Sequence, residues 1–403
     1  MKISKYTPFA VLFFFFNSVG LPFGLTFMAL LGPLFYYWTI RRGKVWGLFT
    51  FILLLTPFFI AHMLVGVDVN VYLASLINFT LVFIFCHSCQ VLVGSYKLDT
   101  LFHKLLKWNF ILCLIAIPFY SSPYFNLFWI EQYLTEGIDH YRRLRLFTYE
   151  ASYYATLFVP LCLFFFYKTI LSGKVYAYLK YMPMVLLPLL LSFSLGVIGG
   201  LLIAVLVTLV VHLRTLLKKK AVFVFIVSSS LLMVLGVVFS VLFFPDNTLF
   251  LRLKNIFSGH DSSGNGRTFE AFLLAYRIAE QKSLLFGAGL GQIKVIGTDI
   301  IRSYYGYDEN YVISIPNATA ETFAIFGWLG LLLRFSIQGF LFFYKRVWSN
   351  YYRLSLFVFI FIYQFTGSFI TNMAEYLIWI LAFWGNFQQY DKNTLKEERS
   401  NEL

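Results

Sequence analysis

The side chains best suited to chemistry in this chain are arginines and a few carboxylates. Arg142, Arg143 and Arg145 lead into Glu150 within Arg143-Leu-Arg145-Leu-Phe-Thr-Tyr-Glu150-Ala-Ser152. A second basic set, Arg252, Lys254, Arg267, Arg277, Lys282, Lys294 and Arg302, lies between Asp246 and Pro316. A guanidinium is planar, stays charged, and presents a fork that matches two phosphate oxygens. A single arginine beside an apolar span snorkels to lipid head groups; two clusters with acidic neighbours describe an anion site instead. Glu150 is expected to pair with Arg143 or Arg145. Its role is open between a structural ion pair, a general base and a group that orients an arginine. His140, His260, Asp261, Glu270, Asp308, Glu309, Glu321 and Glu375 are weaker candidates.

Other chemistries lack their signatures. There is no HExxH, P-loop, GxSxG or zinc spacing. Cys86-His87-Ser88-Cys89 has a CxxC spacing, but it falls inside an apolar span without a second ligand pair, and reads as packing. No metal and no cofactor are expected.

The element that must position the second arginine set is a polar insertion. Ser262, Ser263, Gly264, Asn265 and Gly266 form a flexible lead into Arg267, where a helical pattern opens. Phe269, Phe272, Leu273 and Tyr276 recur at one-turn spacing and define an apolar face, with Arg267, Glu270, Arg277 and Gln281 near the opposite side. The pattern stops at Gly287-Ala-Gly289-Leu-Gly291. Glycines there let the backbone turn tightly or approach another group.

Around this insertion the chain reads as membrane. Of 403 residues 59% are hydrophobic, including 49 Phe and 27 Tyr, and continuous apolar runs of about twenty residues recur. Continuous rather than alternating runs exclude an outer-membrane barrel. The net charge of +13 does not mark a nucleic-acid partner, because most Lys and Arg sit in short loops between spans, as the positive-inside bias requires.

The expected architecture is an all-α polytopic membrane protein of about twelve transmembrane helices with both ends inside. Residues 1–244 hold spans one to nine, at 7–20, 24–38, 45–65, 71–94, 108–129, 151–171, two thin spans within 181–213 broken at 192–200, and 221–244. Residues 245–316 form one large extracytoplasmic loop with an amphipathic helix. Spans ten to twelve fill 317–390, and 391–403 is a polar cytoplasmic tail. The interiors of the spans are almost free of charge, with Arg334 the clearest exception.

These motifs together resemble the O-antigen polymerase and O-antigen ligase superfamily of bacterial envelope glycosyltransferases. Arg143 to Ser152 looks like the family's arginine followed by a Glu-led start of a span. Gly266-Arg267, a helix, and Leu285-Phe-Gly287-Ala-Gly289-Leu-Gly291 look like its large-loop pattern. Pro316-Asn317 with Gly327-Trp-Leu-Gly330 looks like its His-Asn and Gly-x-x-Gly. Pro316 stands where the ligase branch has His, which favours the polymerase branch. The resemblance implies a GT-C-like, metal-independent glycosyltransferase of the bacterial inner membrane, with its site facing outward. It would polymerise undecaprenyl-diphosphate-linked oligosaccharide repeats, with a flippase and a chain-length regulator as partners. Arg143, Arg145, Arg267 and Arg277 would bind the diphosphate, and Glu150 and Arg267 would be catalytic. An O-antigen ligase and a lipid-linked oligosaccharide flippase are the alternatives.

Overall fold

The computed structural model describes residues 7–17, 26–41, 46–95, 98–132, 141–213, 255, 258, 262–306 and 313–392. The ninth expected span, 221–244, most of the tail, and His140, His260, Asp261, Asp308 and Glu309 lie outside the described residues.

The chain is helical, as its uninterrupted apolar runs require. In order the helices are α1 (Thr7–Phe15), α2 (Phe27–Leu30), α3 (Gly32–Arg41), α4 (Trp46–Val65), α5 (Val69–Ser95), α6 (Asp99–Phe119), α7 (Ala151–Ser172), α8 (Val175–Ser192) and α9 (Leu195–Val211). After these come α10 (Ser262–Arg267), α11 (Phe269–Glu280), α12 (Ile296–Tyr305), α13 (Ala318–Tyr344), α14 (Tyr351–Tyr363) and α15 (Met373–Trp384). Six helices among the described residues, α4 to α8 and α13, are long and apolar enough to cross a membrane. α9, α14 and α15 are apolar but shorter. The architecture is that of an all-α membrane protein.

Several boundaries differ from expectation. The fifth span begins at Asp99, so Lys104 and Lys107 ride on helix α6 rather than in a loop. Asp99 favours a helix N-terminus, and it is also tied to Lys168 of α7 at 2.9 Å. The break between the two thin spans is confined to Phe193 and Ser194. The segment after α6 contains an antiparallel hairpin, β1 (Trp129–Gln132) paired with β2 (Tyr141–Leu144) in the register Trp129 to Leu144.

The amphipathic helix also differs. Residues 262–267 form a helical turn of their own, interrupted at Thr268, and α11 starts at Phe269. Its buried face is Ala271, Leu274, Ala275, Ile278 and Ala279, whereas Phe269 and Tyr276 are exposed. Three alanines in that stripe let α11 come close to α13, and large aromatic rings at those positions would hold the helices apart.

The helices enclose two hydrophobic cores. One gathers α1 to α3, α5 to α9, α14 and α15; the other gathers α4, the start of α5, α11, α12 and the N-terminal half of α13. The glycine turn belongs to the second core and meets a break in α13. Gly327 has φ +64, and its kink frees helix hydrogen bonds that the turn takes up. Ala288 N donates to Ala324 O at 2.8 Å, Gly289 N to Ile325 O at 3.0 Å, and Trp328 N to Leu284 O at 3.0 Å. In hydrocarbon such freed groups must be satisfied by protein. The close approach that the glycines permit is therefore to a broken helix. His62 fastens the same turn, with Nε2 2.8 Å from Phe286 O and Nδ1 3.1 Å from the Tyr72 hydroxyl.

Candidate functional site

Four chain segments meet at one end of the bundle. Glu150 begins α7, Arg267 ends α10, Asn317 caps α13, and Phe365 follows α14. Each helix end has a local reason. Asn317 has extended backbone, and its side chain accepts from Ala320 N at 2.8 Å, the geometry of an N-cap. Glu150 also occupies an N-cap position, but its side chain makes no capping bond. It accepts instead from Ser152 Oγ at 2.5 Å and faces Arg267 Nη2 at 3.9 Å. A carboxylate there is favoured by the α7 dipole as well as by the guanidinium.

Asn317 is fully buried and joins three segments. Besides capping α13, its Nδ2 donates to Arg267 O at 2.8 Å and to Phe365 O at 2.6 Å. The backbone of Arg267 is therefore fixed, while its side chain is about a third exposed and makes no hydrogen bond among the described residues. An arginine with a held backbone and a fork held only by a 3.9 Å ion pair to Glu150 among the described residues is arranged to receive an anion.

The other arginines are placed differently. Arg143 is buried and donates to Ser192 O and Gln132 Oε1, each at 3.0 Å. Arg145 donates to Thr148 O at 3.0 Å and Asn126 O at 2.7 Å, and burial lowers its guanidinium pKa. Arg142 pairs with Glu131 at 3.6 Å and lies over the Phe125 ring at 4.0 Å. This cluster clasps the hairpin to its neighbours, and its bonds to carbonyl oxygens justify basic residues that the span pattern alone did not. Glu150 pairs with Arg267 rather than with Arg143 or Arg145, because those two donate to Ser192 O, Gln132 Oε1, Thr148 O and Asn126 O instead. Arg277 stacks on Tyr304 of α12 at 5.7 Å. Glu270 accepts from the Tyr305 hydroxyl at 2.7 Å.

Sequence reasoning missed what lies beneath this end. Arg334 of α13 pairs with the fully buried Glu375 of α15 at 2.5 Å, and also donates to Gln364 Oε1 at 2.9 Å and Thr322 Oγ1 at 3.2 Å. Trp379 Nε1 donates to the same Glu375 oxygen. Glu321 Oε2 accepts from Ile370 N at 2.7 Å. The seam between α13 and its partners α14 and α15 is thus polar, in a region expected to be almost uncharged. Arg334 alone in an apolar run was a readable signal. Its partner was not, since Glu375 is 41 residues away in the chain and on another helix.

The site can position an anion against Arg267 and hold a carboxylate beside it. Tyr149, about half exposed, adds an aromatic face beside Glu150. No group of three or more His, Cys, Asp or Glu side chains that could hold a metal ion occurs among the described residues. No protein-family model and no curated protein sequence matches the chain.

Proposed function

We propose that this protein is a polymerase of lipid-linked oligosaccharide repeat units. The observation that carries the reading is the meeting of Glu150, Arg267 and Asn317, three residues from three separate motifs, at one end of the bundle. The donor is a growing glycan on undecaprenyl diphosphate, and the acceptor is a sugar hydroxyl of the incoming repeat. The acceptor oxygen attacks the anomeric carbon as the bond to the diphosphate oxygen breaks. The hydroxyl proton passes to Glu150 as general base. Charge developing on the leaving diphosphate is met by the fork of Arg267, so neither a general acid nor a metal is required. Arg277 is a secondary contact. Arg143 and Arg145 support the site mainly by bracing the loop that carries Glu150. The protein acts in the bacterial inner membrane with this site facing outward.

Deleting the gene and separating the surface polysaccharide by size tests the reading. Loss of a polymerase leaves a single repeat on the lipid core; loss of a ligase or flippase leaves none. The flippase reading keeps one supporting observation, the buried ion pair of Arg334 and Glu375 within the helical bundle, since ionisable groups at such depth often serve transport.

A further inference from the structure

A second region, apart from Glu150 and Arg267, is a cavity between helices. A cavity of about 240 Å³ lies among α1, α3, α5, α6, α7 and α15. Its walls are nearly all apolar, with Ala10, Phe102, Leu105 and Leu161 among them. It starts at the N-terminal turns of α6 and reaches the middle of α7. That end is the one far from Glu150: Asp99, which opens α6, is paired with Lys168, eighteen residues along α7 from Glu150, roughly 27 Å at helical rise.

One lining residue does not fit an apolar wall. Lys104 is half-buried on the cavity, and among the described residues its ammonium has no ion pair, hydrogen bond or ring contact. Its neighbours on the helix are already committed: His103 and Asp99 are engaged with Lys168. A lysine that lines an apolar cavity and has no partner among the described residues matches an anionic head group joined to an acyl chain. A membrane-embedded cavity of this lining excludes water and takes hydrocarbon, and a leaflet rich in anionic lipid is drawn to lysines at helix ends.

We propose that this cavity holds one chain of an anionic phospholipid of the surrounding bilayer, with the head-group phosphate on Lys104 and Thr100. The lipid seals α1 and α3 against α6 and α7. The site is separate from the glycan-transfer reading and stands whether or not that reading holds.

The test uses the full-length protein in a neutral detergent with added phosphatidylglycerol, phosphatidylcholine or undecaprenyl phosphate. The thermal midpoint should rise by roughly 3–8 °C with saturating phosphatidylglycerol and by much less with phosphatidylcholine. Lys104→Gln should lose the difference between the two phospholipids while keeping the midpoint without lipid. Ala10→Phe, which fills the cavity, should lose it too, and it serves if Lys104→Gln does not fold. Native mass spectrometry of the wild type should show a phosphatidylglycerol adduct that both variants lack. Equal shifts with both phospholipids in the wild type, or a phosphatidylglycerol increment surviving in both variants, would overturn the proposal. A larger Lys104-dependent shift with undecaprenyl phosphate would also overturn it, by assigning the cavity to a polyprenyl chain.

Discussion

Arg267 Nη2 lies 3.9 Å from Glu150 Oε1, and the only protein hydrogen bond that fixes Arg267 beside its own helical turn comes from Asn317 to its carbonyl oxygen, among the described residues. The pair joins the two hydrophobic cores, since Glu150 begins a helix of one and Arg267 precedes a helix of the other. At 3.9 Å the contact is loose enough for an anion to draw the guanidinium away from the carboxylate. In the proposed reaction that exchange frees Glu150 to accept a proton while Arg267 moves to the diphosphate.

Replacing Arg267 should therefore affect turnover much more than stability. Arg267→Lys keeps the charge and loses the fork, and a contact that strengthens as the diphosphate leaves is worth about 2–4 kcal/mol, or roughly thirty- to a thousand-fold in rate. The side chain makes no hydrogen bond among the described residues, so folding stability should change by only about 0.5 kcal/mol. Surface-glycan chain length in a deletion strain at matched expression reads the first effect, and thermal unfolding in detergent reads the second. Wild-type chain lengths with both Arg267→Lys and Arg267→Ala would remove Arg267 from the site.

Glu150→Gln separates a base from a brace. The amide oxygen can still accept from Ser152 Oγ, so the start of α7 should hold. Loss of a general base lowers rate by about 10²–10⁴-fold. Initial rates on purified lipid-linked repeats decide between the roles. A rate near wild type would leave Glu150 as a structural partner of Arg267.

Asn317 performs two tasks that substitutions can split. Asn317→Asp retains the acceptor that caps Ala320 N but replaces the donor facing two carbonyl oxygens with another acceptor. Asn317→Ser likewise retains a cap, and its hydroxyl is too short to clasp both carbonyls. Both should lose transfer activity, and Asn317→Asp should also unfold earlier, by about 1–3 kcal/mol for carbonyls left unsatisfied. Activity at wild-type level in Asn317→Ser would show that the carbonyl clasp does not position Arg267.

Gly327→Ala should be among the most damaging single-methyl changes in the chain. Gly327 sits at φ +64, and a Cβ there would collide with the Leu285 carbonyl and the Gly287 amide. With ψ −160 this backbone conformation is open almost only to glycine and costs about 1–3 kcal/mol for a residue with a side chain, and the overlap adds about 1–3 kcal/mol. Gly339 lies on the same helix with open space around its Cβ position, so Gly339→Ala provides the control. Membrane yields and melting points of the two variants should diverge; equal values would mean that the break in α13 is not required.

Local signals made the helix starts readable. The start of α13 at Asn317 falls where the tenth expected span begins, because the polar stretch ends there in sequence. The apolar runs likewise marked the helices, although α6 begins nine residues before the start expected for the fifth span. What was not legible depends on distant partners. Nothing near Arg143 or Arg145 in the chain announces that their donors go to backbone carbonyls, so nearness in sequence pointed to the wrong partner for Glu150. The spacing of Phe269, Phe272, Leu273 and Tyr276 marks an apolar face, but the face that packs on α13 is built largely of alanines, which carry no local sign of burial. The glycine turn was visible as a turn, but its pairing with the Gly327 break is a tertiary fact.

The pair of Arg334 and Glu375 gives a prediction that does not depend on the glycan chemistry. Glu375 is fully buried; one carboxylate oxygen receives Arg334 and Trp379, and the other has no partner among the described residues. Arg334→Gln would leave an ionised or newly protonated carboxyl group in the bundle without its cation, and losing one member of a buried pair costs about 3–5 kcal/mol. Glu375→Gln should cost less, since Arg334 keeps Gln364 and Thr322 as acceptors. In the double variant no charge remains at that position, and the two amides can bond to one another. It should therefore melt above Arg334→Gln alone, with a coupling of about 0.5–3 kcal/mol in the favourable sense. Thermal unfolding of the four proteins in one detergent measures the cycle. Additive losses would mean that the two side chains do not share their burial cost, and the polar seam between α13 and α15 would then be a set of independent contacts.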